Sequence, residues 1–184
     1  MQGILSTRGD LRVPFYMLAY RVSTHYDIHM KKTNAMRILE AQGIPYEVVA
    51  YSWDEEHLDA VHASKFAGLE PSQVFKTIVL EDNEKQIFVC CLPADFSVSL
   101  KKVKALTGSK DIDLLKLDRL QSVTGYIRGG CSPLGMKKQF PTFIEEVAQV
   151  EPYIHVSAGV RGLQLKIKPE DLVSATQGQF ADFT

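Results

Sequence analysis

Apolar residues near residue 36 recur at the spacing of a helix. Thr33 is suited to cap a helix, and Met36 and Leu39 then place apolar side chains on one face. Gly43 follows as a typical helix end, with Pro45 just beyond it. The pattern therefore predicts that the first element of the folded part is an amphipathic helix.

Downstream of this helix the hydrophobic pattern changes to that of strands. The segment YEVVAY (46–51) is typical of a strand, and a second helix is predicted over about 58–67, before Gly68. The apolar runs VFKTIVL (74–80) and KQIFVCCLP (85–93) flank a polar turn. This arrangement predicts a β-hairpin.

The second half of the chain continues to alternate helices and strands. Hairpin connections indicate a mixed sheet, so we expect an α+β fold: a mixed, curved, partly barrel-like β-sheet with helices packed around it. The predicted elements are helices from about Ser97 to 108 and from Asp118 to Ser122, strands at 142–148, 153–159 and 163–167, and a helix that begins at Pro169.

The first 29 residues differ from the remainder. They contain two acidic residues, Asp10 and Asp27, and show no clean amphipathic period. We interpret residues 1–29 as an appended leader, either poorly ordered or a misassigned start, and residues 30–184 as one domain.

Composition limits the classes of partner. The chain has 184 residues, 21 Lys and Arg against 22 Asp and Glu, and a formal net charge of −1. This balance argues against a free-standing nucleic-acid binder or DNA-binding protein. Residues 95–140 nevertheless carry nine Lys and Arg against four Asp, so this region either faces a polyanion or forms a solvated surface.

The three cysteines, Cys90, Cys91 and Cys131, indicate a reducing compartment, which we take to be the cytoplasm. An odd number with two adjacent members does not suit a disulfide framework. The spacing of metal ligands is missing, so we expect no metal and no cofactor. No apolar run approaches the length of a membrane span.

Lys76 interrupts an apolar strand, with Phe75 and Ile78 beside it. Period-2 alternation allows the side chain to point outward to solvent. The alternative is a cation directed into a pocket, where it would bind a phosphate, a ribose or a developing negative charge.

The segment GGCSPLG is too rich in glycine to be ordinary core. Gly129 and Gly130 lack side chains, Pro133 fixes the turn, and the amides of Cys131 and Ser132 are free to form an oxyanion hole. An ordinary tight turn has the same composition. Cys131 with His155 as its base would be a thiol nucleophile, but a small buried cysteine is commoner.

Together, VFKTIVL, GYIRGGCSPLGMKK and VSAGVRG resemble the YbaK family of aminoacyl-tRNA editing proteins, especially its Cys-tRNA(Pro) deacylase branch. The resemblance extends from about Met30 to the C-terminus and includes MRILEAQGIPYEVVAY and KIKPEDLV. It implies an enzyme that hydrolyses mischarged Cys-tRNA(Pro), with the substrate's own thiol as the attacking group. It also implies a transient complex with prolyl-tRNA synthetase.

The resemblance also implies roles for individual residues. Lys76 would engage the 3′ end of the tRNA, with Thr77 nearby, and the loop from Gly129 to Pro133 would hold the ester carbonyl through its amides. The remaining positions that match the family's pocket are Ser157, Gly159, Tyr51 and His62.

Two alternatives to this activity are a deacylase for another small aminoacyl group, such as Ala-tRNA(Pro), and a non-catalytic module that binds a nucleotide or RNA end. In the first, water would be the attacking group.

Overall fold

The structure is a computed structural model that describes residues 31–184, so the predicted leader lies outside the described residues. Its helices are α1 (Asn34–Ala41), α2 (Ala60–Ala67), α3 (Leu100–Thr107), α4 (Leu117–Thr124) and α5 (Pro169–Thr176). Its strands are β1 (Glu47–Ala50), β2 (Val74–Asp82), β3 (Ile87–Pro93), β4 (Ile112–Leu114), β5 (Thr142–Glu145), β6 (Ile154–Ser157), β7 (Leu163–Ile167) and β8 (Gln179–Ala181).

All of these strands belong to one mixed sheet, in the order β1-β7-β6-β2-β3-β5-β8, with β4 paired to β2 beside this path. The pairs β2–β6, β3–β5 and β5–β8 are parallel, and the others are antiparallel. The predicted mixed fold is therefore confirmed. Because β1 and β8 end the strand path, the sheet of the described residues is open and does not close into a barrel.

Side-chain caps and glycines set the helix ends. The hydroxyl of Thr33 accepts a hydrogen bond from the amide of Met36, as the sequence predicts for the start of α1. Asp59 caps α2 in the same way, and Gly68 ends that helix with a positive φ of 67°. Helix α3 begins at Leu100, three residues later than predicted, with Ser99 as its N-cap.

Two parts of the sheet differ from the sequence prediction. The segment TFIEEVA, predicted to be a strand throughout, is extended only to Glu145, and Glu146–Val150 forms a 3-10 helix. Strands β4 and β8 were not predicted. Each has three residues, which is too short for an alternating pattern to be recognised.

The hydrophobic core forms two clusters, and neighbouring residues of β3 belong to different ones. Val89 and Cys91 pack with residues of α1, β6 and β7, whereas Cys90 and Leu92 pack with Val103 and other residues of the second cluster. Since successive side chains of a strand point to opposite faces, Cys90 and Cys91 are directed apart, and both are free thiols. No helix within residues 31–184 has the length and apolar character of a membrane span.

Candidate functional site

A cavity of about 500 Å³ opens between β2, α2 and the glycine loop, Gly129–Pro133. Its volume is in the range of small-molecule sites. The residues predicted from sequence that line it are Lys76, Thr77, Gly129, Cys131, Ser157 and Tyr51. The structure therefore brings together the residues of three separate motifs and Tyr51.

Lys76 contributes a cation to this cavity, which Arg128 also lines. Its half-buried side chain turns toward the loop after β3, where Nζ donates hydrogen bonds to the main-chain oxygens of Ala94, at 2.8 Å, and Phe96. Burial lowers the pKa of Lys76, and the carboxylates of Asp95 and Asp59 oppose this shift. An ammonium has three donors, so one remains for a ligand.

The five residues of the glycine loop occupy different surroundings. Gly129, with a φ of 82°, and Cys131 line the cavity. Gly130 packs so closely on the neighbouring turn that a Cβ atom there would lie 3.2 Å from the amide nitrogen of Arg161. Ser132 is fully buried, and its hydroxyl accepts from the amide of Leu134 at 3.3 Å. Pro133 instead lines a second cavity of about 200 Å³.

Tyr126 connects the glycine loop to the turn after β6. Its hydroxyl donates to the main-chain oxygen of Leu134. The ring lies against Gly159, where φ is 94° and a Cβ atom would approach the ring to 2.8 Å. Gly159 therefore leaves room for the Tyr126 ring, whose hydroxyl is bonded to Leu134 next to the glycine loop. Ser157, two residues earlier, lines the cavity.

His62 lies on α2, outside the residues that line the cavity. Its Nδ1 atom is 2.7 Å from the carboxylate of Asp59, the residue that caps the same helix. Tyr51 does line the cavity, and burial raises the pKa of its hydroxyl, which therefore stays protonated at neutral pH.

Gln164 is a cavity residue that the sequence pattern did not indicate. It pairs with Ser157 across β6 and β7, is 3% exposed, and its Oε1 atom is buried with no hydrogen-bond partner among the described residues. Its neighbour Leu165 faces the core, so period-2 alternation predicts that Gln164 faces solvent. Instead the residue lines the cavity, and its amide oxygen is buried without a partner in the described structure.

The cysteine in the glycine loop is not activated. Burial raises the pKa of Cys131 to about 12, so its thiol is protonated at neutral pH. His155, the base considered from sequence, does not line the cavity, and burial lowers its pKa to about 4. In residues 31–184 no three His, Cys, Asp or Glu side chains form a group that could hold a metal ion.

Comparison with known proteins gives consistent matches. The family model described as an aminoacyl-tRNA editing domain matches residues 54–175. A protein of Enterococcus faecalis named EbsC, a candidate Cys-tRNA(Pro)/Cys-tRNA(Cys) deacylase, is 45% identical over 154 residues, which are 84% of this chain and 94% of that protein.

Two further matches are more distant. A proline–tRNA ligase of Brachyspira hyodysenteriae is 24% identical over 139 residues, which are 71% of this chain and 24% of the ligase. The crystal structure of a candidate trans-editing enzyme for prolyl-tRNA synthetase has the same fold, with a TM-score of 0.72 and 21% identity over 82% of this chain and 94% of that one. The chain therefore belongs to the aminoacyl-tRNA editing domain family.

Proposed function

We propose that this protein is a trans-editing deacylase that cleaves the aminoacyl ester of Cys-tRNA(Pro). The observation that carries the proposal is one cavity that joins the half-buried ammonium of Lys76 to the glycine loop at Gly129 and Cys131. An ammonium suits the phosphate or ribose of an RNA terminus, and main-chain amides suit an ester carbonyl. The 45% identity to EbsC supports the same activity.

The proposed reaction uses a nucleophile that the substrate provides. The sulfur of the cysteinyl group attacks its own ester carbonyl, the bond between that carbon and the ribose oxygen breaks, and the thiol proton passes to the ribose oxygen. The products are a cysteine thiolactone, which water then hydrolyses, and a tRNA with a free 3′ hydroxyl. An intramolecular attack gains most of its rate from orientation.

Among the described residues, neither of the two side chains considered as nucleophile or base, Cys131 and His155, is suited to that role, which fits this mechanism. The Cys131 thiol is protonated, and His155 does not line the cavity. Lys76 would anchor the RNA terminus, and the amides of the loop between Gly129 and Pro133 would stabilise the negative charge on the ester oxygen. Tyr51, Thr77 and Ser157 would line the space around the aminoacyl group.

Binding to the tRNA would need a partner, which we take to be prolyl-tRNA synthetase in a transient complex. The net charge is −1, and three of the basic residues between 95 and 140 are paired with carboxylates: Lys102 with Asp182, Lys104 with Asp111 and Arg119 with Glu81. The overall balance of charge therefore gives the protein little long-range attraction to a polyanion. The likeness to part of a proline–tRNA ligase supports this choice of partner.

The test compares three mischarged substrates. Cys-tRNA(Pro), Ser-tRNA(Pro) and Ala-tRNA(Pro) are incubated with the protein, with and without the synthetase, and ester loss is followed. We expect rapid loss of the cysteinyl ester alone, since serine and alanine have no thiol. Preferential hydrolysis of the alanyl ester would instead indicate the related deacylase with water as nucleophile. Binding without turnover of any substrate would indicate a non-catalytic module.

A further inference from the structure

Main-chain groups of β2 point alternately to its two edges. The amide of Ala94 donates to the oxygen of Val74 at 2.7 Å, and the amide of Asp82 donates to the oxygen of Gln86 at 3.0 Å. Val74 and Asp82 are therefore directed toward β3. Because an antiparallel partner is contacted by every second residue, Thr77 directs its N–H and C=O to the opposite edge.

That opposite edge is occupied on both sides of Thr77. Strand β6 pairs with Val74 and Phe75, and β4 pairs with residues from Leu80 onward. Just before β4 begins, the amide of Leu115 donates to the oxygen of Val79 at 2.9 Å. Within the described residues, no strand pairs with Thr77 on this edge, so the sheet has a gap one residue wide.

The gap opens into the cavity. Thr77, Leu115 and Ser157, which border it on β2, the β4 side and the β6 side, all line the cavity. The unpaired main-chain groups therefore face the space in which the aminoacyl ester would lie. A donor and an acceptor in a partly buried wall favour a ligand that supplies the complementary pair.

We propose that the aminoacyl group of the substrate fills this gap as a one-residue strand, paired with the main chain of Thr77. An α-amino ester carries a nitrogen donor and a carbonyl acceptor on either side of one carbon, as a strand residue does. Its ammonium would donate to the oxygen of Thr77, and its ester oxygen would accept from the amide of Thr77. This inference rests on the proposed function and names the part of the substrate that is recognised.

This pairing would fix the ester in the sheet plane and leave its second lone pair for the amides of the glycine loop. The contact uses only groups that every α-amino acid has. Selection for cysteine would therefore come from the thiol and from the space around it, and the gap would select an α-amino ester over other esters.

The substrate side is tested with 3-mercaptopropionyl-tRNA(Pro), which keeps the thiol and the ester and lacks only the α-amino group. Each rate is divided by the spontaneous rate of the same ester, because the ammonium alters its intrinsic reactivity. We expect a loss of about 10- to 100-fold relative to Cys-tRNA(Pro), the range for a hydrogen bond to a charged group. A normalised rate within about threefold of the cysteinyl ester would overturn the inference.

The protein side is tested by replacing Thr77 with its α-hydroxy acid, which exchanges the amide N–H for an ester oxygen and keeps the side chain. The same exchange at Lys85, whose amide donates to Asp82 in the hairpin turn, is the control. We expect a loss of about tenfold or more at Thr77 and an unchanged rate at Lys85. Equal rates for both variants would contradict the pairing. Inactivity of the unmodified protein on Cys-tRNA(Pro) would contradict the proposed function itself.

Discussion

The Nζ atom of Lys76 lies 2.8 Å from the main-chain oxygen of Ala94, on the strand-loop junction that follows β3. The oxygen of Phe96 accepts a second hydrogen bond from the same ammonium. Both partners are neutral, so the positive charge of Lys76 is oriented without being cancelled by a direct ion pair. An anionic ligand at the remaining donor would meet a half-buried positive charge that the carboxylates of Asp95 and Asp59 offset only from a distance.

Replacing Lys76 with alanine should therefore remove most of the activity. We expect kcat/KM on Cys-tRNA(Pro) to fall by about 100-fold or more, the range observed when a preorganised donor is deleted. Lys85→Ala also removes one positive charge, but in the turn at the far end of the β-hairpin, and should leave kcat/KM unchanged. Full activity of Lys76→Ala, with its fold verified by circular dichroism, would argue against a role for this ammonium.

Cys131→Ala should retain most of the activity, because the thiol is protonated at neutral pH and the loop would act through its amides. Iodoacetamide at pH 7 should likewise leave the rate of ester loss unchanged. Complete inactivity of a folded Cys131→Ala variant would contradict the substrate-assisted mechanism and favour a cysteine hydrolase.

Gln164→Leu should separate stability from activity. The Oε1 atom is buried without a hydrogen-bond partner in the described structure, so an apolar side chain of similar size should raise the free energy of unfolding by about 1 kcal/mol. Deacylation should fall, since Gln164 lines the cavity proposed to bind the substrate and its polar group is lost. Urea unfolding and single-turnover assays on the same preparation measure both effects. A Gln164→Leu variant that is less stable and fully active would contradict both expectations.

Asp82 should make stability depend on pH. Burial opposes its ionisation, but hydrogen bonds from the amides of Gln86 and Glu84 and from Ser109 outweigh this and lower the pKa of Asp82. A lowered folded-state pKa contributes stability above the unfolded-state value of about 3.9, and this contribution is lost as the pH falls through the folded-state pKa.

Asp82→Asn should therefore lower the urea midpoint at pH 7, and its difference from the wild type should shrink as the pH falls below about 4. Glu84→Gln, in the same turn but exposed, is the matched control and should have a smaller effect at pH 7. A difference that stays constant from pH 7 to pH 3 would show that the charge of Asp82 does not stabilise the turn.

The fold was predictable where local chemistry determines it. Thr33 and Gly68 mark helix ends through capping and a positive φ, and the polar turn after β2 separates two apolar runs. Lys76 was recognisable because a cation is costly in an apolar strand, so its presence requires an explanation.

Features that depend on tertiary packing were not predictable. Gln164 is on the face that alternation assigns to solvent, yet the cavity wall covers it. Gly129 and Cys131 line the cavity whereas Ser132 and Pro133 do not. This difference depends on how the loop packs against Tyr126 and Arg161. The gap at Thr77 exists only because the pairings of β4 and β6 with β2 end on opposite sides of it. The residue types of these strands do not indicate where the pairings end.

The longest strand of the described sheet is also one wall of the cavity, and this affects how the protein could evolve. Residues of β2 pair with β3, β4 and β6, so substitutions in this wall would disturb three partner strands as well as the substrate. Another part of the lining, which includes Leu58, lies on a loop that tolerates change more readily. New amino-acid preferences in this lineage should therefore arise first by substitutions on the loop side.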